Sequence, residues 1–125
     1  MAVEKSILGQ DGFERTYHRI PSFTIFLNDD GTCQMQIVTQ NWKDKDAREH
    51  NAQALNLQHS IIGLPSGIMR VAYEMLKKYF PEYDDGNDIM EEKNNTAGKI
   101  TAVSQSMDGK LLEKREVENG TEKNN

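Results

Sequence analysis

Ser22-Phe23-Thr24-Ile25-Phe26-Leu27, then Asn28-Asp29-Asp30-Gly31, then Cys33-Gln34-Met35-Gln36-Ile37-Val38-Thr39 is the stretch that decides the fold. Phe23, Ile25 and Leu27 alternate with Thr24 and Phe26. Cys33, Met35 and Ile37 alternate with Gln34 and Gln36. A side-chain period of two puts one face of each segment toward a core and describes a strand. The Asn-Asp-Asp-Gly stretch between them supplies turn chemistry. The stretch is therefore a β-hairpin.

Working outward, Asp11-Gly12 is a second turn dipeptide. It joins a short strand near Ile7 to a strand from Phe13 to Ile20, and Pro21 should mark a break or an edge position because it lacks an amide donor. On the other side, Lys43 to Glu49 is charged and has no apolar stripe, which fits a surface loop or a single helical turn. Leu55, Leu57, His59 and Ile61 alternate again as a further strand. From Gly67 to Phe80 the period changes: Ile68, Val71, Ala72, Met75, Leu76 and Tyr79 recur at three and four residues, the stripe of an amphipathic helix. Ser66 is a candidate N-cap, Lys77 and Lys78 suit the C-terminal end of the dipole, and Pro81 stops the helix. Pro81 to Glu92 is acidic and reads as a solvated linker. Ile100–Val103 and Lys110–Val117 can pair through Met107-Asp108-Gly109, and Glu118 to Asn125 should fray.

The expected fold is α+β. A small antiparallel meander sheet of hairpins packs on one C-terminal-side helix, with a polar β-hairpin or extended C-terminal arm. Residues 1–90 form the domain, and 91–125 a polar extension that is partly disordered. The expected core is Ile7, Phe13, Tyr17, Phe23, Ile25, Leu27, Met35, Ile37, Leu57, Ile61, Ile68, Val71, Ala72, Met75 and Leu76.

Composition bounds the function. The 125 residues fit one domain. The hydrophobic share of 36% is below the roughly 45–50% of ordinary domains, and mean hydropathy is -0.76, so the core should be modest. The net charge of -5 argues against nucleic-acid binding, which wants a basic face. One cysteine, Cys33, excludes an intrachain disulfide. No apolar run approaches a membrane span, and Met1 to Leu8 does not read as a signal peptide. A soluble protein made in a cytoplasm is expected.

Catalysis needs converging groups, and none converge in the sequence. His18, His50 and His59 lack metal-ligand spacing. Cys33 falls on an inward strand position, as a small buried residue. Asp84-Asp85-Gly86-Asn87-Asp88 fails the calcium-loop pattern because its glycine comes third rather than sixth. Gly9-Gln10-Asp11-Gly12 reads as a turn, not a phosphate cradle, and Asn94-Asn95-Thr96 and Asn119-Gly120-Thr121 match the glycosylation triplet by chance. No enzyme activity, metal or cofactor is expected. Trp42, Tyr17 and His18 are the candidate protein-contact residues. Trp42 is either a contact anchor or a cap on the end of the sheet. His18, beside alternating apolar residues, reads first as a hydrogen-bonded structural residue.

Three stretches together carry a resemblance. Ser6-Ile7-Leu8 with Asp11-Gly12 and Tyr17-His18-Arg19-Ile20 resembles the opening of a family of small bacteriophage structural-module proteins. Lys43-Asp44-Lys45-Asp46-Ala47-Arg48-Glu49 resembles the family's charged segment. Ala72-Tyr73-Glu74-Met75-Leu76-Lys77 followed by Phe80-Pro81-Glu82-Tyr83 resembles its closing helix and acidic end. The resemblance spans residues 5 to 90. It implies a non-enzymatic virion protein of the tail, baseplate or fibre attachment, found in the virion and in the host cytoplasm during assembly. Its partners would be other phage structural proteins and further copies of itself, in a ring or trimer. The alternative is a non-virion phage binding protein, either a tail-assembly chaperone or a host-directed effector.

Overall fold

The structure is a computed structural model that describes residues 1–87, 98–118 and 121–123. Strands β1 (Val3–Leu8), β2 (Glu14–Leu27), β3 (Cys33–Trp42), β4 (Leu55–Leu64), β5 (Lys99–Ser106) and β6 (Leu111–Glu118) form one antiparallel meander, with the short strand β7 (Thr121–Lys123) at its far edge. Strand order follows chain order. A five-residue helix α1 (Lys45–Glu49) fills the β3–β4 connection. After β4, a 3-10 turn at Ser66–Met69 runs directly into α2 (Arg70–Tyr79), making one helix of 14 residues, and a second 3-10 turn follows at Pro81–Tyr83. The class is α+β, with the sheet curled into a half-barrel.

Local chemistry accounts for the turns. At Gly12 the backbone has φ +85°, a left-handed conformation open to glycine. Asp11 braces this turn: its carboxylate accepts from the Phe13 amide at 3.1 Å and from Nη1 and Nη2 of Arg15 at 3.1 and 2.8 Å. The central hairpin is present, with Phe23 opposite Ile37, Ile25 opposite Met35 and Leu27 opposite Cys33.

The bend comes from breaks in register. β2 does not stop at Pro21: it runs through, and the β2–β3 register slips between Arg19 and Ser22. A bulge leaves a residue out of the ladder, so proline's missing N–H goes unasked for, and it increases local twist. Further slips lie between Glu4 and Ile7, between Cys33 and Gln34, and between Ser104 and Gln105. The sheet rolls far enough that Gln10, in the first turn, donates its Nε2–H to the Leu112 carbonyl of β6 at 3.0 Å.

The C-terminal hairpin is present and continues the sheet, because β5 pairs with β4 from Ile62↔Thr101 to Leu57↔Ser106. Thr121–Lys123 pairs with β6 where fraying was expected; backbone hydrogen bonding alone can hold so short a polar strand. The acidic segment is described only to Asn87, so its later part, including Asp88, lies outside the described residues, as does Asn94-Asn95-Thr96. The second triplet falls partly outside them, at Asn119 and Gly120. The N-cap position falls on Pro65 and not on Ser66, which is buried as the first residue of the helical stretch.

The expected core does not form. Among the described residues the buried apolar side chains are Cys33, at 0%, and Trp42, at 7%. Phe13, Phe23, Ile7, Leu27, Val71 and Met75 are all strongly exposed, Ala72 too, and the other expected core residues are half-buried. The reason is architectural. A sheet and a helix each bury an apolar face only against a second layer. Here α2 packs mainly on the 3-10 turns flanking it, leaving the sheet largely a single layer.

Candidate functional site

The sequence singled out Tyr17, His18 and Trp42, and the β2–β3 ladder brings them together: Tyr17 stands opposite Trp42, and His18 opposite Asn41. Neighbouring positions on a strand face opposite sides, so the four side chains form two pairs, one on each face of the sheet.

The Trp42 pair closes the end of the sheet. α1 begins at Asp44, whose Oδ1 accepts from the Ala47 amide at 2.8 Å, an N-cap. Two residues past its end stands Asn51, with φ +59°, which asparagine tolerates better than most residues. That reversal brings the Ala52 carbonyl to the indole, whose Nε1–H donates to it at 3.0 Å. The Arg48 guanidinium lies 5.6 Å over the indole, and the Tyr17 ring packs at 6.1 Å with a 55° tilt. Of the two roles open to Trp42, the geometry describes the cap.

The His18 pair starts a polar relay across five strands. His18 is 8% exposed, and both ring nitrogens are engaged: Nε2 with the Lys5 carbonyl at 2.8 Å, Nδ1 with Asn41 Oδ1 at 2.7 Å. Asn41 is held by its other end, where Nδ2 donates to the Leu55 carbonyl at 2.8 Å and to Thr39 Oγ1 at 3.1 Å. The amide is thereby oriented with its oxygen toward His18, so the imidazole meets two acceptors. Thr39 Oγ1 continues to His59 Nε2 at 3.0 Å, and His59 Nδ1 reaches Ser104 Oγ at 2.7 Å. His59 lies between two hydroxyls, each able to donate or accept, so its neutral ring is satisfied in either tautomer.

Sequence reasoning missed Asn41, Thr39 and Ser104. Nothing in their local context marks them, because the residues they serve are supplied by other strands.

Burial holds the His59 imidazole below its ordinary value of 6.5, while the Glu113 carboxylate pulls weakly the other way. An unfolded chain then takes up this proton before the folded one does, so stability should fall as pH drops below about 6.5. Asp11, Asp30 and Asp108 also lie below their usual 3.8, held there by hydrogen bonds from Arg15, Thr32 and Ser106 respectively, so their losses begin at lower pH. The urea midpoint should therefore drop between pH 7 and pH 5, and His59→Gln should flatten that step while leaving the loss below pH 4. An unchanged step in the variant would show that His59 is not its source.

Beside the relay lies a partly exposed apolar surface. Cross-strand partners share a face, so Phe23, Ile25 and Leu27 of β2, Met35 and Ile37 of β3, and Ile61 of β4 lie together. Phe23 is 61% and Leu27 45% exposed. The opposite face carries Gln34, Gln36, Gln58 and Gln105 together with Phe26, Val38 and Ile62. On α2, Val71, Met75 and Tyr79, one turn apart, are likewise exposed. Among the described residues no group of three or more His, Cys, Asp or Glu side chains is placed to hold a metal ion, and no helix is long and apolar enough to cross a membrane. Comparison with protein-family models, with curated proteins and with solved structures found no match to this chain.

Proposed function

We propose that this chain is a non-enzymatic structural component of a bacteriophage particle, belonging to the tail, the baseplate or a fibre attachment, and that it works by packing against other proteins. The observation that supports the packing role is the displaced core. Side chains with the alternation of a core stand on the surface, while only Cys33 and Trp42 are buried apolar residues among those described. Apolar surface of this extent marks an interface in a protein that must stay soluble. The edge strand β1 adds a second attachment point, since its outer backbone groups can extend the sheet into a neighbour. The phage assignment rests on the resemblance of residues 5 to 90. Further copies and other particle proteins are the partners this reading calls for.

Mass spectrometry of purified virions tests it, with the chain expected at a fixed ratio to the other tail proteins. A chain absent from virions that instead captures an unassembled tail protein or a host protein would overturn the virion assignment in favour of an assembly chaperone or a host-directed effector.

A further inference from the structure

We propose that the hairpin β5–β6 opens from the sheet as a unit while β1–β4 stay folded, and that the His59–Ser104 hydrogen bond is the latch that holds it shut. Opening uncovers the backbone edge of β4.

The first argument is what meets across the seam. β5 faces β4 with Thr101, Ala102, Ser104, Gln105 and Ser106, and its large apolar residue there, Val103, stands opposite Ser60. No directly opposed pair joins two large apolar side chains. The β2–β3 ladder joins Phe23 to Ile37 and Ile25 to Met35, and the β3–β4 ladder joins Met35 to Ile61. Cross-strand side-chain pairs set how firmly neighbouring strands hold, so β5 grips β4 less firmly than β2 and β4 grip β3.

The second argument is connectivity. Residues 65–98 lie between β4 and β5, so β5 can leave its neighbour without displacing it. Within the hairpin the turn closes on itself: the Ser106 amide donates to the Lys110 carbonyl at 2.9 Å, and the Lys110 amide to Ser106 Oγ at 3.0 Å. Strands joined in this way open as one cooperative piece. Off the sheet, a short two-stranded ribbon is marginal in water, so opening exposes its amides as a set. A second tie, from Gln10 to the Leu112 carbonyl, is exposed, where water competes for the bond.

The third argument is the latch. The half-buried His59 ring reaches Ser104 Oγ at 2.7 Å across the seam and Thr39 Oγ1 at 3.0 Å on the other side. Thr39 Oγ1 already accepts from Asn41 Nδ2, which leaves its own proton for a neutral ring. A charged ring must donate at both nitrogens and turns that proton out of the relay. The charged groups facing the ring from β6 are Glu113, beside Ser104, and Arg115, bonded to Glu113 at 2.6 Å. β3 and β5 present the uncharged Ile37, Thr39 and Ser104. Burial outweighs the pull of Glu113 and holds the closed ring below 6.5, whereas opening returns it to water. The opened state therefore takes the proton first, and acid favours opening.

Native-state hydrogen exchange of the full chain, corrected for the intrinsic pH dependence of amide exchange, tests both parts. Amides of β5–β6 should exchange together, at least about tenfold faster than those of β2–β3. Low urea should hardly change their rate while it steeply raises that of β2–β3, since opening a hairpin exposes less surface than unfolding the sheet. Ile25→Val, away from the seam, should speed exchange in β2–β3 only. Ser104→Ala should speed it in both, because its bond exists only in the closed state. Going from about pH 7 to about pH 5 should raise hairpin opening in the native chain and not in His59→Gln. Equal rates and urea responses in the two hairpins, or an Ile25→Val effect that reaches β5–β6, would mean that the sheet opens only as a whole. Unprotected β5–β6 amides would mean that the hairpin is never shut. Either result overturns the proposal. A hairpin indifferent to Ser104→Ala, or a pH response that survives in His59→Gln, overturns the latch.

Discussion

Trp42→Ala should destabilise the chain by about 3–5 kcal/mol, the range for removing a large buried aromatic ring. The substitution loses more than area. It frees the Ala52 carbonyl that the indole N–H serves and removes the surface on which Arg48 and Tyr17 pack. With Cys33 as the other buried apolar residue among those described, little remains to compensate. Since a small domain has only about 5–15 kcal/mol in total, the alanine variant should lose a large share of its stability. Urea titration followed by far-UV circular dichroism is the appropriate measurement, because the variant has lost the only tryptophan. Trp42→Phe separates the two contributions. It keeps a ring under Arg48 and beside Tyr17 but gives up the hydrogen bond, so it should lose much less than alanine. Equal losses from the two substitutions would mean that the hydrogen bond, not the ring, holds the β3–α1 corner.

Asn41→Ala should cost about 2–3 kcal/mol, although it removes only a small polar side chain. The residue is 8% exposed, and its amide serves His18 on one side and the Leu55 carbonyl and Thr39 hydroxyl on the other. Deleting it strips the buried His18 Nδ1 of its partner and takes one hydrogen bond each from the half-buried Leu55 carbonyl and Thr39 hydroxyl, and polar groups left unmatched in this way are costly. A double-mutant cycle with His18→Ala isolates the pair. Once Asn41 is gone, the second substitution should lose appreciably less than it does alone, with a coupling above about 1 kcal/mol. Additive losses would show that the two side chains do not act as one unit. The cycle also reports on β1, which His18 ties to β2 through the Lys5 carbonyl.

These two residues show where sequence reasoning works and where it ends. Trp42 could be singled out as a lone tryptophan at the end of a strand, but its two roles could not be separated. The choice depended on the Ala52 carbonyl, which reaches the indole only after α1 reverses at Asn51. Asn41 gave no sign at all. Its partners are His18 on one neighbouring strand and Leu55 on the other, and a hydrogen bond of that kind has no signature in local sequence.

The sequence by itself determined the hairpin from Ser22 to Thr39, the turn at Asp11-Gly12, the hairpin around Met107-Asp108-Gly109 and the helical stretch that Pro81 ends. Each follows from a short-range cause: a period of two or three to four, a residue tolerant of left-handed backbone, or a missing amide donor. It also placed Cys33 inside. Tertiary structure alone decided what those elements do with their apolar faces. The stripe on α2 and the alternation in β2 and β3 say that each face seeks cover, and they are silent on whether the same chain provides it. Bulges at Pro21 and elsewhere curl the sheet, α2 packs on its flanking turns, and the hairpin read at the start becomes a surface rather than a core. Hydrophobic pattern encodes the demand for burial; the position of the second layer, set by contacts between distant residues, decides whether that demand is met within one chain or between chains.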